Sequence, residues 1–273
     1  MSSLVSIITG SVSEVISTII QYWKIILVTT KVEFDKRYSG SVLGIFWVFL
    51  YPALLLSVYL FVYLVIFQIR FPGYSEFDYV LYVFCGLIPY IGFSEAISNG
   101  SLCIKQNIHL IKNVMLPIEL VPIRAVMISM VTQVVSLAIL IVLTTFGGSL
   151  SWHLIWLPLI FLLQIMFLVG LVWILAAVAV PLPDVSYFVN LLLLLLMFLS
   201  PIGFKMDMVP NTLKFIVYVN PLSYMLEMYR SSLLYGKFPE PLILIPYVIM
   251  CIIVFALGAT FFERFKHVLV DYE

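Results

Sequence analysis

The sequence predicts an all-α membrane protein with six transmembrane helices. Hydrophobic residues make up 63% of the 273-residue chain, and charged residues only 10%. A water-soluble domain of this length could not bury that much apolar surface. Six separate apolar segments are also long enough to cross a bilayer, which takes about 20 residues. Because these segments and their connections fill nearly the whole chain, we expect one membrane domain over residues 1–273.

The segment before the first span predicts an amphipathic helix that lies in the membrane plane. Between residues 11 and 27, apolar side chains such as Val12, Ile16 and Ile20 recur at helical spacing, and the opposite face is polar. Trp23 suits the lipid headgroup layer. An ordinary helix packed on another protein surface is the alternative. A polar connector at 31–44 would lead into the first span.

The spans themselves are predicted from the length of each apolar segment. Pro89 and Glu95 interrupt the second segment, which makes it the least regular. Lysines and arginines are more frequent on the inner segments if both termini are cytoplasmic. The predicted spans are Leu43–Phe67, Tyr79–Ser98, Leu120–Phe146, Leu154–Val180, Val185–Phe204 and Leu242–Phe262.

Two of the connections between the predicted spans are themselves predicted to contain short helices. In the inner loop at 99–124, Ile104, Ile108 and Ile111 recur at helical spacing, which predicts a short cytoplasmic helix with a polar surface available for docking. Residues 201–240 carry charges every few positions and several prolines. Two short helices that dip partway into the outer leaflet explain this pattern better than two further spans.

The chain carries no motif typical of an ATPase or of the common hydrolases. It has no G-x-x-x-x-G-K-[ST], no H-E-x-x-H and no G-x-S-x-G. Cys85, Cys103 and Cys251 have unrelated spacings, so neither a metal site nor a disulfide framework is expected. No basic block indicates nucleic acid. Few ionisable residues lie within spans, which argues against an ion-driven secondary transporter.

Three motifs resemble the membrane subunit of type-2 ABC exporters, most closely the permeases for O-antigen, capsule or teichoic acid. They are Arg37–Trp47 at the entry into the first span, Leu110–Pro122 with its P-x-E-x-x-P ending, and Asn220-Pro221 followed by Arg230 before the last span. The order of the spans is similar over nearly the whole chain. One departure is Pro183 before Asp184, where the family often has a charged residue such as arginine.

The resemblance implies a channel-forming subunit, not itself an enzyme, of an ATP-driven exporter of lipid-linked polysaccharide in the bacterial inner membrane. It implies a homodimer with two separate ABC ATP-binding subunits, which would bind ATP and Mg; this chain would hold no cofactor. The outer gate would comprise Pro201, Asn220, Pro221 and Arg230. The docking residues for the ATP-binding subunits would be Glu33, Asp35, Arg37, Lys105, Gln106, Asn107, His109, Lys112 and Asn113.

Aromatic side chains of the first span indicate a path for the glycan. Trp47 and Tyr51 are four residues apart and share a helix face, as do Tyr59 and Tyr63. Aromatic faces can stack on sugar rings without a fixed hydrogen-bond pattern, whereas interface belts and ordinary packing are the alternative roles. The alternative functions are a type-2 permease for teichoic acid, a lipid or a drug, a secondary transporter, and a membrane-embedded enzyme that modifies lipids or glycans.

Overall fold

A computed structural model describes residues 2–66, 68, 74–108, 111, 117–146 and 151–272. Within these ranges the chain is helical and has no strand, which confirms the all-α class. Five helices in the described part are long and apolar enough to cross a membrane, and two further apolar helices are shorter. The chain is therefore a multi-pass membrane protein.

Helix α1 spans Ser2–Tyr38 and contains the predicted amphipathic segment at 11–27. The predicted polar connector at 31–44 is helical over 31–38, where it forms the last turns of α1. No glycine or proline interrupts the chain from residue 11 to residue 39, so nothing breaks the helix there. Gly40 then adopts a φ of +91°, a left-handed conformation that favours glycine and commonly follows a helix end.

The first predicted span is built from three kinds of helix. A short 3₁₀ segment at Gly44–Phe46 leads into α2 at Trp47–Leu60, and a π-helix follows at Phe61–Ile66. Pro52 lies inside α2 and cannot donate a backbone hydrogen bond. The 14 residues of α2 alone are fewer than the 20 or so that a straight span takes. The helical backbone nevertheless extends over most of the predicted range.

The second and third spans follow their predictions closely. Helix α3 covers Glu76–Ser101 and begins with a capping box between Ser75 and Asp78. The helix continues through Pro89, which the sequence suggested as an interruption. Beyond the single-turn helix α4, at Cys103–Gln106, α5 covers Leu120–Phe146, the predicted range.

The later spans differ from prediction at their ends. A 3₁₀ segment at Trp152–Trp156 leads into α6 at Leu157–Ala179. Helix α7 covers only Val185–Leu199 because Ser200 precedes a proline and is extended, with a ψ of 145°. After a 3₁₀ turn at Met206–Met208, two short helices follow, α8 at Lys214–Val219 and α9 at Pro221–Leu233. The last helix, α10, covers Pro241–Tyr272 and continues past the predicted end at Phe262.

The bundle has two ends, which we name by the elements found there. The α1 end contains the end of α3, the start of α5 and the end of α10. The hairpin end contains the start of α3, the segment after α7 and the α8–α9 hairpin. The Tyr79 and Tyr82 hydroxyls donate to the Gly203 and Phe204 carbonyls at 3.1 and 3.0 Å, and Arg230 of α9 lies over the Tyr82 ring. Between the ends, α6 and α10 pack backbone to backbone at Gly170 and Gly258.

Helix α1 lies across the α1 end. Glu14 is 3.4 Å from the Lys266 ammonium near the end of α10, and Arg37 pairs with Glu95 in the last turns of α3. These two contacts are about 35 Å apart along a straight helix. Length and composition alone would allow Ile8–Tyr38 to cross a membrane, but contacts with the same end of two spans favour the predicted in-plane orientation.

Candidate functional site

A cavity of about 520 Å³ opens beside the first span, and we call it the central cavity. Helices α1, α2, α3, α5 and α7 all contribute to its lining. Trp47 and Tyr51, two of the aromatic residues singled out from the sequence, both line it. Tyr51 is 54% exposed, so its ring is accessible, and the Trp47 indole donates to the Ser41 hydroxyl at 3.0 Å.

The other two aromatic candidates of the first span are placed differently. The Tyr59 side chain is buried and does not line the central cavity. Successive helical residues are rotated by about 100° around the helix axis. Tyr59 lies eight residues after Tyr51, so its side chain points about 80° away from the direction of Tyr51. Tyr63 lies in the π-helix, and its side chain is outside the described part of the chain.

Polar side chains line the central cavity toward the α1 end. Arg37 pairs there with Glu95, whose side chain is only 14% exposed. The Ser98 hydroxyl donates to the Asn190 side-chain oxygen at 2.7 Å and joins α3 to α7. The sequence showed Glu95 as a charge that interrupts the second apolar segment, but it gave no signal for its partner. An aromatic wall and a polar end thus form one continuous cavity.

A second cavity, of about 350 Å³, lies at the α1 end. Four of the predicted docking residues line it together: Glu33, Arg37, Gln106 and Asn107. Arg124, which the sequence analysis did not select, also lines it and donates to the Asn107 side-chain oxygen at 2.5 Å. The structure therefore brings the end of α1 and the turn after α4 to one surface, which we call the α1-end surface.

The remaining docking candidates are more dispersed or lie outside the description. Asp35 lines a separate small cavity with Tyr38. Lys105 belongs to α4 and is half-buried. His109, Lys112 and Asn113 lie outside the described residues, so the predicted inner-loop helix is described only as α4 and at positions 107, 108 and 111.

The predicted gate residues converge at the hairpin end. The Asn220 side chain accepts from the Leu222 backbone at 3.0 Å as an N-cap of α9, and it donates to the Ser200 hydroxyl at 2.8 Å. Pro221 occupies the first position of α9, where its missing N–H has no cost. The hairpin is therefore tied to the end of α7.

Arg230 makes the second connection at this end. Its side chain is buried, and Nη2 donates to the carbonyls of Pro201 and Ile202 at 2.5 and 2.9 Å. The guanidinium also lies 3.7 Å from the centre of the Tyr82 ring, a cation–π contact. Arg230 thus holds α9, the segment after α7, and α3 together.

Buried glutamines connect the hairpin to the middle of the bundle, which the sequence analysis missed. The Gln133 amide donates to Gln164 at 2.8 Å and to the Tyr229 hydroxyl at 3.1 Å. Gln164 donates back to Gln133 at 2.9 Å, and also to the Pro89 carbonyl at 3.3 Å. Two lone amides inside long apolar segments are the signal that could have revealed this polar bridge.

The described residues offer little to a metal ion. No group of three or more His, Cys, Asp or Glu side chains in that part of the chain could hold one. Cys103 is buried beside the α1-end surface, and this burial raises the pKa of its thiol to about 12, which keeps it protonated at neutral pH.

Comparison with known proteins identifies the family to which this chain belongs. The family described as ABC-2 type transporter matches residues 24–234, a range that includes the central cavity and the hairpin. The O-antigen export system permease protein RfbA of Myxococcus xanthus is 30% identical over 192 residues, covering 70% of this chain and 72% of the relative. Two permeases of the same name from Klebsiella pneumoniae are 27% and 26% identical over 191 residues, each covering 68% of this chain and 71% of the relative. Since the family match covers well over half of its residues, the chain belongs to the ABC-2 type transporter family.

Proposed function

We propose that this chain is the channel-forming subunit of an ATP-driven exporter of lipid-linked polysaccharide, similar to O-antigen. The family match and the shared name of the three relatives support this function. In the structure, the observation that carries the proposal is the central cavity, with the accessible Trp47 and Tyr51 along one wall. Such rings bind sugar faces without demanding one sequence of sugars.

The driving force would come from separate ATP-binding subunits. They would supply ATP and Mg, because this chain has no phosphate-binding loop. The α1-end surface is the docking site that we propose, since α1, α4 and the start of α5 meet there. A push on this surface would reach the central cavity through Arg37, which lines both cavities. This is a rigid-body coupling of the kind that moves packed helices.

A second copy of the chain would complete the channel. Helix α7 exposes Tyr187, Leu191 and Leu195, which recur every four residues on one face. Helix α2 also exposes apolar side chains, among them Phe49, Leu54 and Val58. Because α2 and α7 both border the central cavity, pairing of two chains along these helices would enclose it on all sides.

The proposal places the protein in the bacterial inner membrane, with the α1 end and both termini in the cytoplasm. The excess of lysine and arginine on the inner segments supports this orientation. It sets the hairpin end on the outer side, where a polymer would leave the channel.

Export in reconstituted vesicles tests the function. The chain and its ATPase should move lipid-linked glycan only with ATP, and Trp47→Ala with Tyr51→Ala should lower the rate about thirtyfold, since each lost ring contact is worth about 1 kcal/mol. Phe265→Ala is the control, because this ring on α10 is 40% exposed, does not line the cavity and lies outside the two helices proposed to pair. Full transport by the chain alone under an ion gradient would reject the proposal. ATP-driven movement of a drug or a lipid without glycan would assign another substrate.

A further inference from the structure

The hairpin end contains a third cavity, of about 490 Å³, which we call the hairpin cavity. It lies between the start of α3, the segment after α7, helices α8 and α9, and the start of α10. It shares no lining residue with the central cavity. Its volume falls in the range of about 300–1,000 Å³ that is typical of small-ligand sites.

Aromatic rings form an accessible part of its lining. Tyr218 is 59% exposed and Phe238 is 44% exposed, although both border the cavity. The Tyr224 hydroxyl donates to the Tyr218 carbonyl at 2.8 Å, which connects the two helices of the hairpin. Phe238 packs edge-on against Trp156, with ring centres 4.8 Å apart. The Phe238 ring is therefore held by its neighbour, and both exposed rings remain open to a ligand.

The positive and negative charges in the lining are equal in number, which favours a neutral ligand over an anion. Three cationic and three acidic side chains border the cavity, so it has no net charge to attract phosphate or another anion. Carboxylates accept hydrogen bonds and the cations donate them, as the hydroxyl groups of a sugar require. The charged lining residues are Lys205, Arg230, Lys237, Asp207, Glu227 and Glu240.

Two buried polar atoms at this cavity have unused hydrogen-bonding capacity. Among the described residues, neither the Arg230 Nε nor the Ser223 hydroxyl has a hydrogen-bond partner. Both side chains line the cavity, and Arg230 is fully buried. Leaving a buried donor unpaired costs about 1–3 kcal/mol, and a ligand hydroxyl or a water molecule could accept from Nε.

We propose that the hairpin cavity is a binding subsite for a neutral saccharide unit. The identity of the ligand rests on the proposed function, because the emerging glycan would be the sugar present at this end. Stacking on Tyr218 and Phe238, with Glu227 as acceptor and Arg230 as donor, would bind one segment of the polymer weakly beside its exit. The site lies against α9. Through Arg230, this helix contacts α3 and the segment after α7.

Saturation-transfer NMR on the full chain in lipid nanodiscs tests this subsite. The probes are short neutral manno-, gluco- and galacto-oligosaccharides, with inorganic phosphate and an oligouronate as anionic comparisons. At least one neutral probe should bind, and Tyr218→Ala should weaken that binding about three- to tenfold. Phe215→Ala is the matched control, since this ring on α8 is 61% exposed but does not line the cavity.

The outcomes separate this inference from the proposed function. Absence of neutral saccharide binding, equal effects of Tyr218→Ala and Phe215→Ala, or preferential binding of the anions would each overturn the subsite, even if ATP-driven export is normal. Glu227→Gln should weaken saccharide binding. Because Glu227 is 33% exposed but lies 3.7 Å from the buried Arg230 guanidinium, the melting temperature of this variant is measured alongside to show that the chain stays folded. Saccharide binding without ATP-driven export would instead contradict the proposed function.

Discussion

At the residue scale, Gln164 shows how a single amide can connect four helices. It bonds with Gln133 and Tyr229 and donates to the Pro89 carbonyl. Gln164→Leu should lower the free energy of unfolding by about 1–2 kcal/mol, because it leaves these buried partners unsatisfied. Thermal unfolding in detergent measures the loss. Gln21→Leu, the same change at an exposed site on α1, should have little effect, and equal melting temperatures for both variants would contradict this role.

Arg37 provides a second prediction at this scale, because two roles are open to it. The sequence predicts that it docks an ATP-binding subunit, whereas the structure pairs it with Glu95. Glu95→Gln should reduce export several-fold, since Glu95 is only 14% exposed and its loss removes the counterion that holds Arg37 between the two cavities. The charge swap of Arg37→Glu with Glu95→Arg should restore part of the export rate. No restoration by the swap would favour the docking role.

At the element scale, the pairing of α6 with α10 depends on two glycines. A Cβ atom at Gly258 would lie 2.1 Å from the Gly170 carbonyl oxygen, which is closer than non-bonded atoms approach. Gly258→Ala should therefore separate the helices and lower the free energy of unfolding by about 1–3 kcal/mol. Melting temperature and yield of folded protein report this change. Gly10→Ala is the control, since nothing lies within 4 Å of a Cβ atom there, and an equal response would contradict the close-packing argument.

The elements also show what sequence patterns can and cannot supply. The apolar stretch of α5 predicted its range, because lipid contact requires an uninterrupted run of suitable length. The early end of α7 follows from Pro201 and could have been predicted from the restriction that a proline places on the preceding residue. The π-helix after α2 and the partners of Gln164 depend on tertiary packing, which periodicity does not encode.

At the scale of the whole molecule, the sites lie at both ends of the bundle and between them. The α1-end surface and the central cavity share Arg37, and the gate residues expected from the family motif meet at the opposite end. Sequence motifs identified residues at both ends of the bundle, since a motif preserves residue types at a fixed spacing. They did not predict that Arg124 and Asn107 bond across the α1 end, because sequence spacing does not specify which distant side chains meet.

The position of α1 decides how many times the chain crosses the membrane, and cysteine labelling can measure it. Ser13 and Lys31 are both exposed and lie about 27 Å apart along the helix. A helix that crosses the membrane would place them near opposite surfaces of a hydrocarbon core about 30 Å thick. In a variant without Cys85, Cys103 and Cys251, Ser13→Cys and Lys31→Cys should both react with an impermeant maleimide from the cytoplasmic side only. Because Glu14 and Arg37 contact the same end of the bundle, labelling of the two sites from opposite sides would contradict the in-plane orientation and change the number of spans.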